Sequence, residues 1–315
     1  MNREKFFDMI EFYDNLDEVV GTITNLDVVH KTITIGHDEY KLTDSALEQA
    51  LRRLGLTGTV RDFTRSNGTM DVDFINAAVA RKIRVWNIRP SKIMTDNTYA
   101  FGVVSAKYER MPHYVVIEEL AKHVNIDDFF DYKRSYVSEK NMRLYLKGID
   151  SFEIDGDSEF LFGLMVRNSE TGWGALGMSQ FVERLVCSNG LTSKLASLSI
   201  SKAHIGNVRG FYEDNLPKMV NPEPVINLIT KAIDKPPIVE SLDNLPRMLT
   251  KFRVRREHHE GIVEAWKVEK DLGLGPYGIS NAISRYNDHV YAARPGFDSD
   301  EYYALANTAL EVLSF

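Results

Sequence analysis

One cysteine, Cys187, stands in 315 residues, so no intrachain disulfide is possible and a reducing compartment is implied. No apolar run approaches the roughly 18 residues that a membrane span needs. The opening MNREKFFDMIEFYDNL is polar and acidic, unlike a signal or transit peptide. The expected location is cytoplasmic, with no membrane partner. Positive charge is also scarce: 38 Lys and Arg face 45 Asp and Glu, a net charge of −7. That balance disfavours a protein that coats duplex DNA by bulk electrostatics, but leaves room for a local basic groove. Walker, kinase, serine-elbow and H-E-x-x-H signatures are absent, so the case for an enzyme is weak and no cofactor is expected.

What is present is ordinary globular composition, 43% hydrophobic and 26% charged. Phe6, Met9, Ile10 and Tyr13 recur at helical spacing. VVHKTITIGHDEYKLT reads as a hairpin turning at Gly36-His37-Asp38. LTDSALEQALRRLGL reads as a helix with a capping box at Ser45 and Glu48 and a stop at Gly55. RSNG at 65–68 is a turn, and DFINAAVARK is a short helix feeding a strand-like IRVWNIR. YAFGVVSAKY predicts a strand and PHYVVIEELAKHV a helix. NMRLYLKG alternates, with Met142, Leu144 and Leu146 on one face and Arg143, Tyr145 and Lys147 on a face turned to water or ligand. EFLFGLMVR is apolar on both faces, NSETG turns, and WGALGMSQFVERLVCS returns. Prolines then punctuate a helical remainder. The fold class expected is α+β: an antiparallel β-meander core with helices packed on it, followed by a mostly helical C-terminal region. The divisions are an N-terminal α+β segment over 1–97, a β-rich core over 98–217 and a helical region over 218–315.

Several features carry chemistry in principle. Cys187 lies beside Asn189-Gly190, read as a turn that opens a helix. The alternation Glu183, Leu185, Cys187 makes the thiol a buried small residue rather than a nucleophile. GLGPYG at 273–278 has the letters of a phosphate loop but follows a helix, so it reads as a connection into a helix whose stripe is Ile279, Ala282, Ile283, Tyr286 and Val290. EHHEG, with His258, His259 and Glu260, reads as a solvated charged face. Asp127, Asp128 and Asp131, and separately Asp155, Asp157 and Glu159, are the acids that Mg²⁺ would require; the second group looks more like a hairpin turn.

The basic runs carry the strongest expectation. RKIRVWNIRPSK sets Arg81, Lys82, Arg84, Arg89 and Lys92 around Trp86 without an acid. YKRSYVSEKNMRLYLK adds Lys133, Arg134, Arg143, Tyr145 and Lys147, and KFRVRREHH is a third cationic patch. Cations interleaved with an aromatic ring are what a single strand of nucleic acid needs, phosphate neutralisation plus a stacking face.

FGVVSAKYE at 101–109, LFGLMVRNSETGWGALGMSQFVERLVCSNGL at 161–191, KAHIGNV at 202–208 and YGISNAISRYNDH at 277–289 together resemble the phage/plasmid-like protein family, catalogued as domain of unknown function 932. The resemblance spans about residues 98–315; the tryptophan-histidine-glycine opening usual in that family is missing. Arg184, Cys187, Asn189, His204, Asn207, Asn281, Tyr286, Asp288 and His289 match its pattern. The resemblance implies a mobile-element origin near replication and recombination genes, and no catalytic residue to carry over. The expectation is a non-enzymatic protein binding or annealing single-stranded DNA as a homo-oligomer. The alternatives are an oligomeric interaction protein with a host or phage partner (a virion component or an inhibitor of host defence), and a Mg²⁺-dependent hydrolase or nuclease.

Overall fold

The computed structural model describes residues 2–56, 72–85, 90–154, 158–184, 189–192, 199–294 and 299–315. It is α+β, with two β-sheets and a helical C-terminal region.

Helix α1 (Arg3–Asp14) begins at Asn2, whose side chain accepts from the Lys5 N–H, and buries Phe6, Ile10 and Tyr13. The first sheet follows: β1 (Asp17–Gly21), β2 (Ile23–Asp27), β3 (Thr32–Ile35), β4 (Asp38–Leu42), then β5 (Ser91–Thr95) and β6 (Tyr99–Ser105). Between β4 and β5 lie α2 (Asp44–Arg53) and α3 (Val72–Val85). The cap of α2 is Thr43, accepting from the Ala46 N–H, not the box at Ser45 and Glu48. Helix α3 runs through Ile83-Arg84-Val85, where a strand was expected. Ile75, Val79 and Ile83, at four-residue spacing, pack against the first sheet, so tertiary burial overrides the β-branched pattern.

The strand order of this sheet is β1-β5-β6-β4-β3-β2. Its two ends are β1 and β2, which a single residue, Thr22, joins in the chain. Residues 17–27 are therefore one bent strand that carries the sheet back onto itself. Gly21 sits at the bend, and a Cβ there would lie 2.5 Å from Ile35 Cγ2 of β3. The Gly36 N–H donates to the Thr22 carbonyl across the same corner at 3.3 Å. All pairings in the barrel are antiparallel except β4 with β6. Ile23, Leu26, Ile33, Ile35, Leu42 and Ile93 fill it from inside.

The second sheet comprises β7 (Tyr136–Val137), β8 (Met142–Ile154), β9 (Ser158–Asn168), β10 (Leu176–Arg184), β11 (Asn189–Thr192) and β12 (Ser199–Lys202). It is the expected meander, in the order β11-β10-β9-β8-β7, with β12 also on β10. Asn189 and Gly190 pair with Arg184 and Glu183 as the start of β11, so they are strand and not the turn opening a helix. One face of this sheet, including Met142, Leu144, Leu146, Leu164, Val166 and Met178, is buried under α1, α4 (His113–Ala121) and α6 (Arg209–Met219). Short α5 (Ile126–Phe129) precedes β7.

The C-terminal region stacks α7 (Glu223–Ile233), α8 (Leu245–Lys251), α9 (Arg256–Val268), α10 (Pro276–Tyr286) and α11 (Ser299–Ser314) against the far end of that face, at Phe160, Phe162 and Val182. Helix α10 is buried nearly all round. A π turn, Asn287–Tyr291, then rotates the following residues, which leaves Val290 exposed rather than on the packing stripe. His258 and His259 of α9 are buried, not solvated. His258 Nδ1 lies 2.9 Å from the Tyr286 hydroxyl and Nε2 3.0 Å from Glu301, and Gly261 leaves room for the Tyr286 ring. His259 Nε2 meets the Val254 carbonyl.

Candidate nucleic-acid interface

The second face of the meander carries the polar side chains. Register places Tyr136, Arg143, Arg167, Gly177 and Ser201 in one row across β7, β8, β9, β10 and β12. Arg143 and Arg167 are direct opposites on adjacent strands. Like charges so placed repel and lower stability by a few tenths of a kcal/mol to about 1 kcal/mol. The Arg143 guanidinium sits 5.7 Å from the Tyr136 ring centre. Arg167 lies across Gly177, where a Cβ would come within 2.5 Å of its Nε. Burial, and then the Arg143 charge, lower the Arg167 pKa. Among the described residues, the Arg167 guanidinium has no carboxylate partner.

The turn between β9 and β10 carries Trp173, which sequence reasoning passed over. Lys140 Nζ lies 4.6 Å from its ring and the Arg52 guanidinium 5.0 Å. The ring is half-buried, and its indole N–H is buried without a hydrogen-bond partner.

The expected residues separate into distinct fates. Arg143 belongs to the row. Tyr145, expected on an open face, is only 2% exposed. Gly163 has no side chain to separate β8 from β10, so the Phe181 ring reaches across and sits 5.9 Å from that of Tyr145. Lys147 and Arg134 converge on buried Glu183, Arg134 at 2.5 Å and also 3.7 Å from Asp131, so both cations are paired within the fold. Lys133 is exposed. Arg81 is exposed and Lys82 half-buried on α3. The Arg84 side chain, Trp86, Arg89, Cys187, the turn at 65–68, Asp155 and Asp157 lie outside the described residues. Asp127 pairs with Arg3, Asp128 accepts from Asn125, and Asp131 accepts from the Lys133 and Arg134 N–H groups. Among the described residues no cluster of His, Cys, Asp and Glu is arranged to hold a metal, and no helix is long and apolar enough to cross a membrane.

The NSETG turn between β9 and β10 is polar yet buried throughout Asn168, Ser169, Glu170 and Thr171. Partners far along the chain satisfy it. Gln49 of α2 donates to the Thr171 carbonyl at 2.9 Å and accepts from the Val103 N–H at 2.7 Å, and Tyr108 donates to the Ser169 carbonyl. Gly102 lets β6 approach: a Cβ there would lie 2.6 Å from the Thr171 oxygen. Arg110 donates Nε to Glu170 at 2.6 Å and two further N–H groups to the Leu16 and Tyr13 carbonyls. Glu170 and Asp14 both accept from the His113 N–H, at 2.8 and 2.7 Å, capping α4 where Pro112 offers no side-chain cap. Burial, and then the contact with Asp14, push Glu170 up to about 9. Glu170 thus keeps its proton at neutral pH, hydrogen-bonded to Asp14, with Arg110 facing the pair. Burial, with the Arg110 charge, pulls His113 down to about 3; burial pulls His204 down to about 4. His204 stacks on Tyr108 at 4.8 Å.

Other positions of the family pattern are structural. Arg184 and Arg285 meet Glu269, each at 3.1 Å. The Asn207 side chain accepts from the Gly210 N–H, Asn281 donates to the Tyr277 carbonyl, and Asp288 accepts from the Tyr302 hydroxyl. Tyr286 meets His258, and His289 is exposed.

No curated protein and no solved structure matches the chain. Residues 100–214 match the family model described as Domain of unknown function (DUF932). This stretch runs from β6 into α6 and holds the meander, the buried turn, both low-pKa histidines and the arginine row. Over residues 100–214, then, the chain is similar to the DUF932 family.

Proposed function

We propose that this chain is a non-enzymatic protein of a phage or plasmid that binds or anneals single-stranded DNA in recombination or replication. The observation that carries the reading is the pair Arg143 and Arg167, opposed on adjacent strands, with Arg167 lacking a carboxylate among the described residues. Strand spacing of about 4.8 Å brings two guanidinium forks to one phosphate, and an anion between them turns mutual repulsion into attraction. The Tyr136 ring lies against Arg143, and on the β9–β10 turn the Trp173 ring lies against two more cations. A local cationic row on a chain of net charge −7 suits a flexible single strand, which can follow a narrow track, better than a duplex.

The test is fluorescence anisotropy with labelled oligonucleotides across a salt series. Wild type binds at micromolar concentration or tighter at low salt. Arg167→Ala weakens binding about tenfold and flattens the slope of log K against log salt by about 0.7, the value for one phosphate contact on a single strand. Absence of micromolar binding by wild type at low salt removes the reading. A second reading, an oligomeric protein-binding factor, draws support from a surface groove of about 480 Å³ lined by Arg247, Lys251, Phe252 and the exposed Phe315. The same titration separates the two, because that groove predicts no oligonucleotide binding.

A further inference from the structure

We infer that strands β1 to β6 form an OB-type barrel whose open face extends the single-strand track, with Tyr99 and Trp173 as stacking platforms; this rests on the reading just given. Counting 17–27 as one bent strand, the barrel order is first, second, third, fifth, fourth and back to first. The third and fifth strands, β4 and β6, make its one parallel pairing. Helices α2 and α3 fall between the third and fourth strands. Strand order, parallel pair and helix position are together those of the OB-fold, which holds oligonucleotides or oligosaccharides on its second and third strands.

Fold alone assigns no function, so the side chains decide. The outer side of β5 and β6 is unavailable, since Met94, Gly102 and Val104 are buried against the rest of the chain. The outer side of β3 and β4 is open, with Thr32 and Thr34 half-buried and Lys41 exposed. Tyr99 pairs with Lys41 in register, is 42% exposed, and has the Lys41 ammonium 5.7 Å from its ring centre. Contacts then lead from the barrel to the meander. Thr43, two residues beyond Lys41, donates to Glu139; its neighbour Lys140 lies against Trp173, as does Arg52 of α2. Lys140 is three residues before Arg143. These contacts join two rings, each beside a cation, to the chain segment that leads into Arg143. A flexible single strand can stack bases on such rings while its phosphates meet the cations. Asp38 and Glu39 at the far end of β4 repel phosphate and limit the track on that side.

The experiment uses the full chain and labelled oligothymidines of about 8 and about 30 nucleotides, lengths chosen against the roughly 4–16 nucleotides that one OB-fold covers. Tyr99→Ala is expected to bind the long strand about tenfold more weakly, to leave the short strand (held by the arginine pair) unchanged, and to recover in Tyr99→Phe, which keeps the stacking face. Two outcomes overturn the inference while sparing the arginine site: Tyr99→Ala binding the long strand like wild type when Arg167→Ala does not, or a loss that Tyr99→Phe fails to restore. Failure of wild type to bind either length instead removes the reading on which the inference rests.

Discussion

Replacing Arg110 tests whether the buried turn holds the molecule together. Its side chain is 10% exposed and that of Glu170 is 1% exposed, so solvent screens the pair little. Arg110→Ala removes the only cation bonded to the Asp14–Glu170 pair among the described contacts, and it strands the Leu16 carbonyl, whereas the Tyr13 carbonyl keeps the Leu16 N–H. Breaking a buried ion pair from one side costs about 3–5 kcal/mol, and the one stranded buried acceptor adds about 1–3 kcal/mol unless water reaches it. Two effects reduce the sum: the carboxyls can take up a second proton, and water can enter the space left. The expected loss is about 4 kcal/mol. Arg110→Lys keeps the charge but not the fork, and should lose about half as much. Urea denaturation followed by circular dichroism reads both variants, with the slope checked for constancy. A double-mutant cycle with Glu170→Gln should return a coupling of about 2 kcal/mol. A loss below about 1 kcal/mol in Arg110→Ala, or a coupling near zero, would refute the argument that this turn is held through Arg110.

Two further outcomes follow from the same geometry. His113 and His204 stay neutral in the fold, so below the unfolded value of about 6.5 the unfolded chain binds protons that the folded chain refuses, and stability falls as pH drops. Glu170 acts in the opposite sense, because its folded pKa is raised: it adds stability as pH falls from about 9 toward about 4.5. Between about pH 6.5 and 5 the histidines withdraw about 3 kcal/mol and Glu170 returns about 2. Wild type should therefore lose about 1 kcal/mol and Glu170→Gln about 3, and equal losses in urea melts would rule out the proton held on Glu170. Gly177→Ala should displace the Arg167 side chain, whose Nε would lie 2.5 Å from the new methyl group, and so weaken oligonucleotide binding several-fold. Because the displaced atoms belong to a flexible chain end, its urea midpoint should hardly move; a large destabilisation with unchanged binding would contradict the assignment of Arg167.

Local patterns were legible where neighbours in sequence are also neighbours in space. The hairpin at 32–42 and the alternation along β8 read directly, and Met142, Leu144 and Leu146 are fully buried as their spacing requires. Barrel closure was not legible, because it depends on a bend at Gly21 and on β4 pairing with β6, strands more than fifty residues apart. Polar composition misled at NSETG and at EHHEG for one reason. Burial of polar residues depends on remote partners, Gln49 and Arg110 for the turn and Glu301 for His258, that no local window contains. Arg167 ends a run that reads as apolar on both faces, and only register shows it opposite Arg143. Alternation correctly put Tyr145 on the polar side of β8; what it missed was that Gly163 lets Phe181 cover that ring.

The border at residue 100 cuts through β6 and discards every strand that β6 pairs with, along with Asp14, which helps cap α4. Gln49, the acceptor for the Val103 N–H, is lost by the same cut. A fragment trimmed to the matched stretch would expose a raw strand edge and the apolar underside of the meander at once. The matched stretch and the stretch whose contacts complete it are different lengths of chain, and expression work should take the longer one.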